Sequence, residues 1–409
     1  MASPVSERKI VFLVGAVQFI NILDFVMVMP LGPDFARALG FEASNIGMVG
    51  GAYTAAACIS GLIGAVFLDR FDRRAALAVC MAGLIAGTAA GGFATGLPSL
   101  MAARVIAGAF GGPATSISMA IVADAIPAER RGKALGAVAG AFAVASVLGV
   151  PAGLLLADRW DWRAPFFAVA GLGVIVAAAA LALLPAFRGH LGASKEEAPF
   201  ADLVRKPAVL FSWAMTASAM LASFSIIPNL ASYFQFNLDY PRADLSRLYL
   251  VGGTLSFFAT RFVGRLVDRF GSFRVGTAGT LWFMGVLYAG FVAPVRGLPV
   301  EPMVMALFLG FMLSNSLRGV PLNALASRVP APAERARFMS IQSAVQHLAS
   351  SLGAFVSSFV LRELPGHQLE GLPRVAAFSM GFAALFPFLA WAVETRVAPR
   401  VEAAPSPAG

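Results

Sequence analysis

The stretch Phe67-Leu68-Asp69-Arg70-Phe71-Asp72 closes a long apolar run and returns, 199 residues later, as Leu266-Val267-Asp268-Arg269-Phe270-Gly271. A second pair, Pro127-Ala128-Glu129-Arg130-Arg131 and Pro332-Ala333-Glu334-Arg335-Ala336, repeats at an offset of 205 residues. Both offsets are close to half of the 409-residue chain. In each half the first pattern follows the second apolar run. Two matches of similar spacing at equivalent places indicate a fold built from two related halves.

The runs between these patterns are apolar on a scale that excludes a water-soluble fold. Of all residues 58% are apolar and 13% charged, against about 25% charged in soluble proteins. The 41 glycines and 25 prolines suit helices in lipid, where small residues let backbones approach and neighbours re-satisfy broken backbone bonds. A β-barrel would show short alternating strands, whereas Ala164 to Leu184 is one continuous apolar stretch. The net charge of +9 sits in short clusters between the runs, so it reads as membrane topology and not as a nucleic-acid surface. Cys58 and Cys80 lie in separate apolar runs without other metal-ligating residues, so neither a metal nor a cofactor is expected. Ser6-Glu7-Arg8-Lys9 resembles the charged start of a signal peptide, but the run behind it is long and holds Asn21 and Asp24, which predicts an uncleaved first helix.

Stretches of about 20 apolar residues span a bilayer. They fall near 10–31, 46–68, 75–95, 98–125, 134–157, 164–185, 208–236, 247–267, 274–294, 301–325, 336–361 and 373–396. The expected fold is therefore an all-α membrane protein of 12 transmembrane helices in two six-helix pseudo-symmetric bundles. Residues 1–187 form the first bundle, 188–207 the cytoplasmic linker, 208–396 the second bundle and 397–409 a cytoplasmic tail. Of the lysines and arginines, 19 fall on one side of the spans and 8 on the other, which places both termini in the cytoplasm. Arg104, Arg261, Arg265 and Arg318 remain inside spans, where a charge is costly and needs a reason.

Gly264-Arg265-Leu266-Val267-Asp268-Arg269-Phe270-Gly271 resembles the signature loop of the major facilitator superfamily, glycine-x-leucine-x-aspartate-arginine-x-glycine. The first-half copy departs from it, with Ala65 and Asp72 at the glycine positions, but keeps the charges of Asp69, Arg70, Arg73 and Arg74. The resemblance implies a monomeric secondary transporter in a bacterial-type inner membrane, with these loops acting as a cytoplasmic gate. Asp69, Arg70, Arg73 and Arg74 would belong to it, with Asp124 as partner and Asp268 and Arg269 as the second copy. The plainer alternative is that the arginines set topology only. Arg104, in Ala102-Ala103-Arg104-Val105-Ile106-Ala107-Gly108 near the outer end of the fourth span, is similar to the family's arginine motif associated with proton transfer; it could instead snorkel to the headgroups. Gly149, Pro151 and Gly153 resemble the antiporter motif of the sugar- and drug-efflux branch.

Other polar side chains in the spans mark a candidate passage. Gln18, Asn21 and Asp24 share one broad face of the first span, and an acid at membrane depth is a candidate proton carrier. Asn229 and Tyr233 follow Pro228, where the family's seventh helix is often broken. Asn315 and Arg318 share a face of the tenth span, and Arg318 needs an anionic ligand or an acid. Gln342 and Gln346 line up on the eleventh.

These residues lead to a proton-coupled exporter of small lipophilic or weakly polar organic compounds, with protons, the substrate and the lipid bilayer as partners. Two alternatives stand beside it. One is a carrier of an organic anion or siderophore-like metabolite held by Arg318, and the other is a non-transporting sensor or assembly protein of the same fold. No catalytic constellation and no nucleotide-binding loop is present in the sequence, so neither an enzyme nor an ATP-driven pump is expected.

Overall fold

A computed structural model of the chain describes residues 6–188, 203–293, 297, 299–331 and 334–402. The proposed linker and the end of the tail lie mostly outside these residues. The first half contributes the spans Glu7–Val26, Ile46–Phe67, Arg73–Gly92, Leu97–Ala125, Arg130–Arg159 and Ala164–Leu183. The second contributes Pro207–Asn237, Leu245–Phe270, Ser272–Val292, Val300–Arg328, Arg335–Val360 and Leu372–Val397. Among the described residues eleven helices are both long and apolar enough to cross a membrane. The remaining one, Arg335–Val360, is 26 residues or about 39 Å long, but its serines, glutamines and His347 lower its hydropathy. Of these groups Gln342, Ser350, Ser351, Ser357 and Ser358 are buried, whereas Gln346 is exposed.

Within the first half the fourth span packs on the first, second and third, and within the second half the tenth packs on the eighth and ninth. Between the halves the broad contacts join the second span to the eleventh and the fifth to the eighth. This is the two-bundle, all-α membrane fold read from the sequence.

Several spans are interrupted where the sequence supplies a reason. The first helix ends at Val26, five residues short of its expected end, because Pro30 and Pro33 cannot continue it, and a short helix Gly32–Leu39 follows. Asp24 therefore lies in the last turn before a break. The seventh span breaks in the same place: its α-helix stops at Phe224, a 3₁₀ turn covers Ile227–Asn229 around Pro228, and π-helical turns run over Tyr233–Asn237. In the fifth span a π-helical stretch, Ala145–Gly149, precedes Pro151. A Cβ at position 149 would meet a terminal methyl of Leu23 on the first span at 2.6 Å, so the glycine lets the two spans pack closely.

The repeated loop also explains its own mismatch. Gly271 joins the eighth and ninth spans at φ 85°, a conformation that glycine adopts without penalty. Asp72, its counterpart, sits at φ −55° and caps the third span by accepting a hydrogen bond from Arg74 N at 2.8 Å. One loop turns through a glycine and the other through a helix cap.

Candidate coupling and gating sites

Asp24 and Arg104 meet inside the first bundle. Nη1 of Arg104 donates to Oδ1 and Oδ2 of Asp24 at 3.0 Å each, and the two residues are 0% and 1% exposed. Arg104 lies seven residues inside the fourth span and does not snorkel, which settles that alternative against the headgroups. The guanidinium is held by the ring of Phe166, 5.2 Å away, and by the Gly87 carbonyl, which accepts from Nη2 at 3.4 Å. The third and fourth spans come this close because Gly87 has no side chain: a Cβ there would meet the Ala107 backbone.

Thr88 completes the arrangement. Its Oγ1 is 2.7 Å from Asp24 Oδ1 and 2.8 Å from the Leu84 carbonyl. A hydroxyl carries one proton and can donate to one of these acceptors at a time. One turn before Asp24, Asn21 donates to the Gly111 carbonyl and to Thr115 Oγ1 and accepts from Tyr53 Oη at 2.7 Å. Asn21 thus clamps the first span to the fourth and second. Gln18 is buried beside them.

The second-half candidates are less gathered than their spacing suggested. Asn229 donates to Ser357 Oγ at 3.0 Å, Tyr233 donates to the Gly290 carbonyl at 2.5 Å, and Gln342 donates to Thr216. Each joins neighbouring helices. Gln346 is exposed while Gln342 is buried, so they do not form one polar surface. Asn315 accepts from Ser223 of the seventh span, whereas Arg318 lies between the rings of Phe283 and Phe386 on the ninth and twelfth, 4.3 and 5.7 Å away. Three helical positions differ by about 60° in direction, enough to send these two toward different neighbours. Of the two partners expected for Arg318, an anionic ligand or an acid, no acid pairs with it among the described residues.

The seam between the halves is closed at the face opposite the termini. Arg242 donates through Nε to both carboxylate oxygens of Asp34 at 2.9 Å, and Glu363 accepts from the Ala43 N–H. Below them Ser351 Oγ donates to the Gly51 carbonyl at 3.0 Å. Phe25 of the first span and Phe224 of the seventh stack across the seam, with ring centroids 6.0 Å apart. Sequence spacing gave no sign of Arg242, Glu363, Thr88 or Tyr53, because their importance lies in partners 32 to 320 residues away. If Asp34 and Arg242 act as a latch, Asp34→Ala, Arg242→Ala and the double variant give a coupling energy of roughly 0.5–3 kcal/mol in thermal unfolding. Additive losses would mean that the pair merely borders the seam.

At the terminus-bearing face, Arg73 Nε is 2.5 Å from Asp124 Oδ2, joining the third and fourth spans. This bond stays within the first half. Arg74 donates to the Leu184 carbonyl and Asp72 pairs with Arg188. The side chain of Asp69 lies outside those described, and Arg70 is engaged in a contact of its own. The second copy is built differently: Asp268 and Arg269 are exposed, Arg269 stacks on Phe270, and Glu394 accepts from the Ser272 and Phe273 N–H groups instead. A carboxylate at a helix start favours that end's positive dipole. Gly149 and Gly153 lie where the fifth span faces Leu23 and Met27 of the first, and Pro151, between them in sequence, is buried.

Two six-helix bundles in contact along their seam, with a buried ion pair inside the first of them, have the build of a membrane transport protein. Comparison with known families agrees: the Major Facilitator Superfamily model matches residues 14–354, and the chain belongs to this family of transporters. It is 28% identical to a chloramphenicol resistance protein of Streptomyces lividans over 261 residues, 63% of this chain and 67% of that protein. Its fold is similar to a bacterial homologue of the human lysosomal transporter Spinster in an inward-facing, occupied conformation, with TM-score 0.76, 15% identity and complete coverage of both chains. It is also similar to a D-xylose–proton symporter, with TM-score 0.74, 16% identity and coverage of 95% of this chain and 98% of the other.

Proposed function

We propose that the chain exports small lipophilic or weakly polar organic compounds in exchange for protons, acting as a monomer with Asp24 and Arg104 coupling the two movements. The observation that carries this reading is the sealed pair itself. Asp24 is the fully buried carboxyl in the described spans, and an ionisable group at that depth is a functional candidate by its cost alone. The resistance protein among the relatives supports outward movement of a drug-like compound. With the termini in the cytoplasm, as the distribution of lysine and arginine indicates, the closed end is external.

Coupling follows from charge. Ionised Asp24 neutralises Arg104, and the first and fourth spans are held together. A proton on Asp24 leaves Arg104 as an uncompensated buried cation, which weakens that contact and favours the alternative arrangement of the halves. Thr88 can follow the change: it donates to the ionised carboxylate, or accepts from the protonated one and turns its own proton to the Leu84 carbonyl. Thr88→Val, which keeps shape and removes the hydroxyl, is expected to lower proton-driven export about 10- to 100-fold, the worth of one hydrogen bond to a charged group. Thr88→Ser should retain it. Equal export by Val and Ser variants would reduce Thr88 to packing.

The direct test is substrate-induced proton movement in proteoliposomes, with lipophilic cations, neutral drugs, sugars and organic anions offered in turn. Lipophilic or neutral compounds should drive it. A response confined to anions would overturn the reading. The organic-anion alternative is disfavoured by the place of Arg318, which lies between rings of the second bundle and not at the seam.

A further inference from the structure

Arg318 is buried to 2% exposure, and its Nε, Nη1 and Nη2 make no hydrogen bond among the described residues. The rings of Phe283 and Phe386 lie 4.3 and 5.7 Å from its guanidinium carbon, but cation–π contacts offset only part of the cost of desolvating an ion. The deficit needs an anion. Asp24 is committed to Arg104, and in the second half the sequence has no Asp or Glu between positions 245–267, 272–292, 302–328, 335–360 or 372–393. The nearest along the twelfth span, Glu394, is eight residues beyond Phe386 and holds the start of the ninth span. Among the described residues no carboxylate pairs with Arg318.

We infer that Arg318, with Phe283 and Phe386, forms a site in the second bundle for a compact, singly charged anion such as a halide, a short carboxylate or a phosphodiester oxyanion. The surrounding packing argues for small size. A Cβ at Gly276 would meet Phe386 at 2.6 Å and one at Gly279 would meet Leu317 Cβ at 2.6 Å, so the ninth and tenth spans touch almost backbone to backbone beside the guanidinium. With two rings 4.3 and 5.7 Å from the guanidinium carbon and no protein acceptor among the described residues, the N–H groups remain as donors for a single anion. The site is distinct from the seam and from Asp24, and does not depend on which compound is carried. It would make the second bundle's stability, and the ease with which it moves, depend on the anion.

The test is thermal unfolding of the purified full chain in nanodiscs of phosphatidylcholine, titrated with sodium chloride against sodium gluconate at constant ionic strength. The expected result is a saturable rise of about 1–3 °C that Arg318→Lys keeps and Arg318→Gln loses. If the chloride response is flat but phosphatidylglycerol in the disc stabilises the wild type and not Arg318→Gln, the anion is a lipid phosphodiester and the site stands. Should Arg318→Gln fail to fold, the wild-type titration decides alone, since a site saturates and a general salt effect rises linearly. A linear or absent response to both chloride and phosphatidylglycerol, or the same response in Arg318→Gln, overturns the proposal.

Discussion

Asp24→Asn is expected to reduce proton-driven export to background and to destabilise the chain by about 3–5 kcal/mol, the cost of removing one partner from a buried ion pair. The argument rests on the pair being sealed: neither Asp24 nor Arg104 reaches solvent, and Arg104 has no other carboxylate within hydrogen-bond distance among the described residues. Asparagine retains the shape and the contact to Thr88 but cannot hold the charge. Loss of export alone would not separate coupling from misfolding, so the double variant Asp24→Asn with Arg104→Gln is the informative companion. With both charges gone the burial penalty disappears, and thermal stability should return toward the wild type. Export should not return, because nothing is left to bind the proton. Should Asp24→Asn still move protons with substrate at the wild-type rate, the coupling site lies elsewhere. A double variant less stable than the single one would instead mark Asp24 and Arg104 as independent packing residues.

Gly47→Leu should have the second-largest effect, by a different route. Gly47 begins the second span at the closed end of the seam, where any Cβ would collide with the Ala354 carbonyl and the Ser357 and Ser358 hydroxyls of the eleventh span. Those partners belong to the other half, so separation of the halves relieves the clash. The substitution penalises this closed arrangement by about 1–3 kcal/mol or more and leaves the separated one untouched. Populations then shift about 10- to 100-fold toward the state open at this end. Two native thiols report the difference. Cys58 is buried on the second span against the Leu348 backbone of the eleventh, whereas Cys80 is buried within the first half. Maleimide labelling of Cys58 should accelerate about tenfold and that of Cys80 should not change. Gly108→Ala is the contrast: its Cβ would collide with the Tyr53 backbone inside the first half, where no rocking of the halves helps. That variant should lose stability without a change in the labelling ratio. Equal acceleration of both thiols by Gly47→Leu would show general loosening instead of a shifted equilibrium.

The sequence by itself determined the membrane setting, the helical class and the two-fold repeat, because each follows from distances along the chain. Twenty apolar residues suffice for a bilayer, and one recurring loop suffices for a duplication. It also picked Asp24 and Arg104, since a charge inside an apolar run is conspicuous in one dimension. The break at Pro228 came from the family resemblance, and the α-helix does stop before it, at Phe224. Only the tertiary structure decided what these residues touch. Nothing in the spacing of 80 residues between Asp24 and Arg104 makes them partners, or brings Thr88 to the same carboxylate. Asn315 and Arg318 shared a face on a helical projection and still diverged, because a 60° difference selects another neighbour once helices pack on every side. The two copies of the repeated loop kept similar charges, yet one pairs Arg73 with Asp124 while the other leaves Asp268 and Arg269 exposed and caps its helix from Glu394. Local patterns fix which groups must be kept from lipid. Which partner satisfies each of them is a property of three-dimensional packing, and in this chain it separates a matched ion pair in one half from an unmatched arginine in the other.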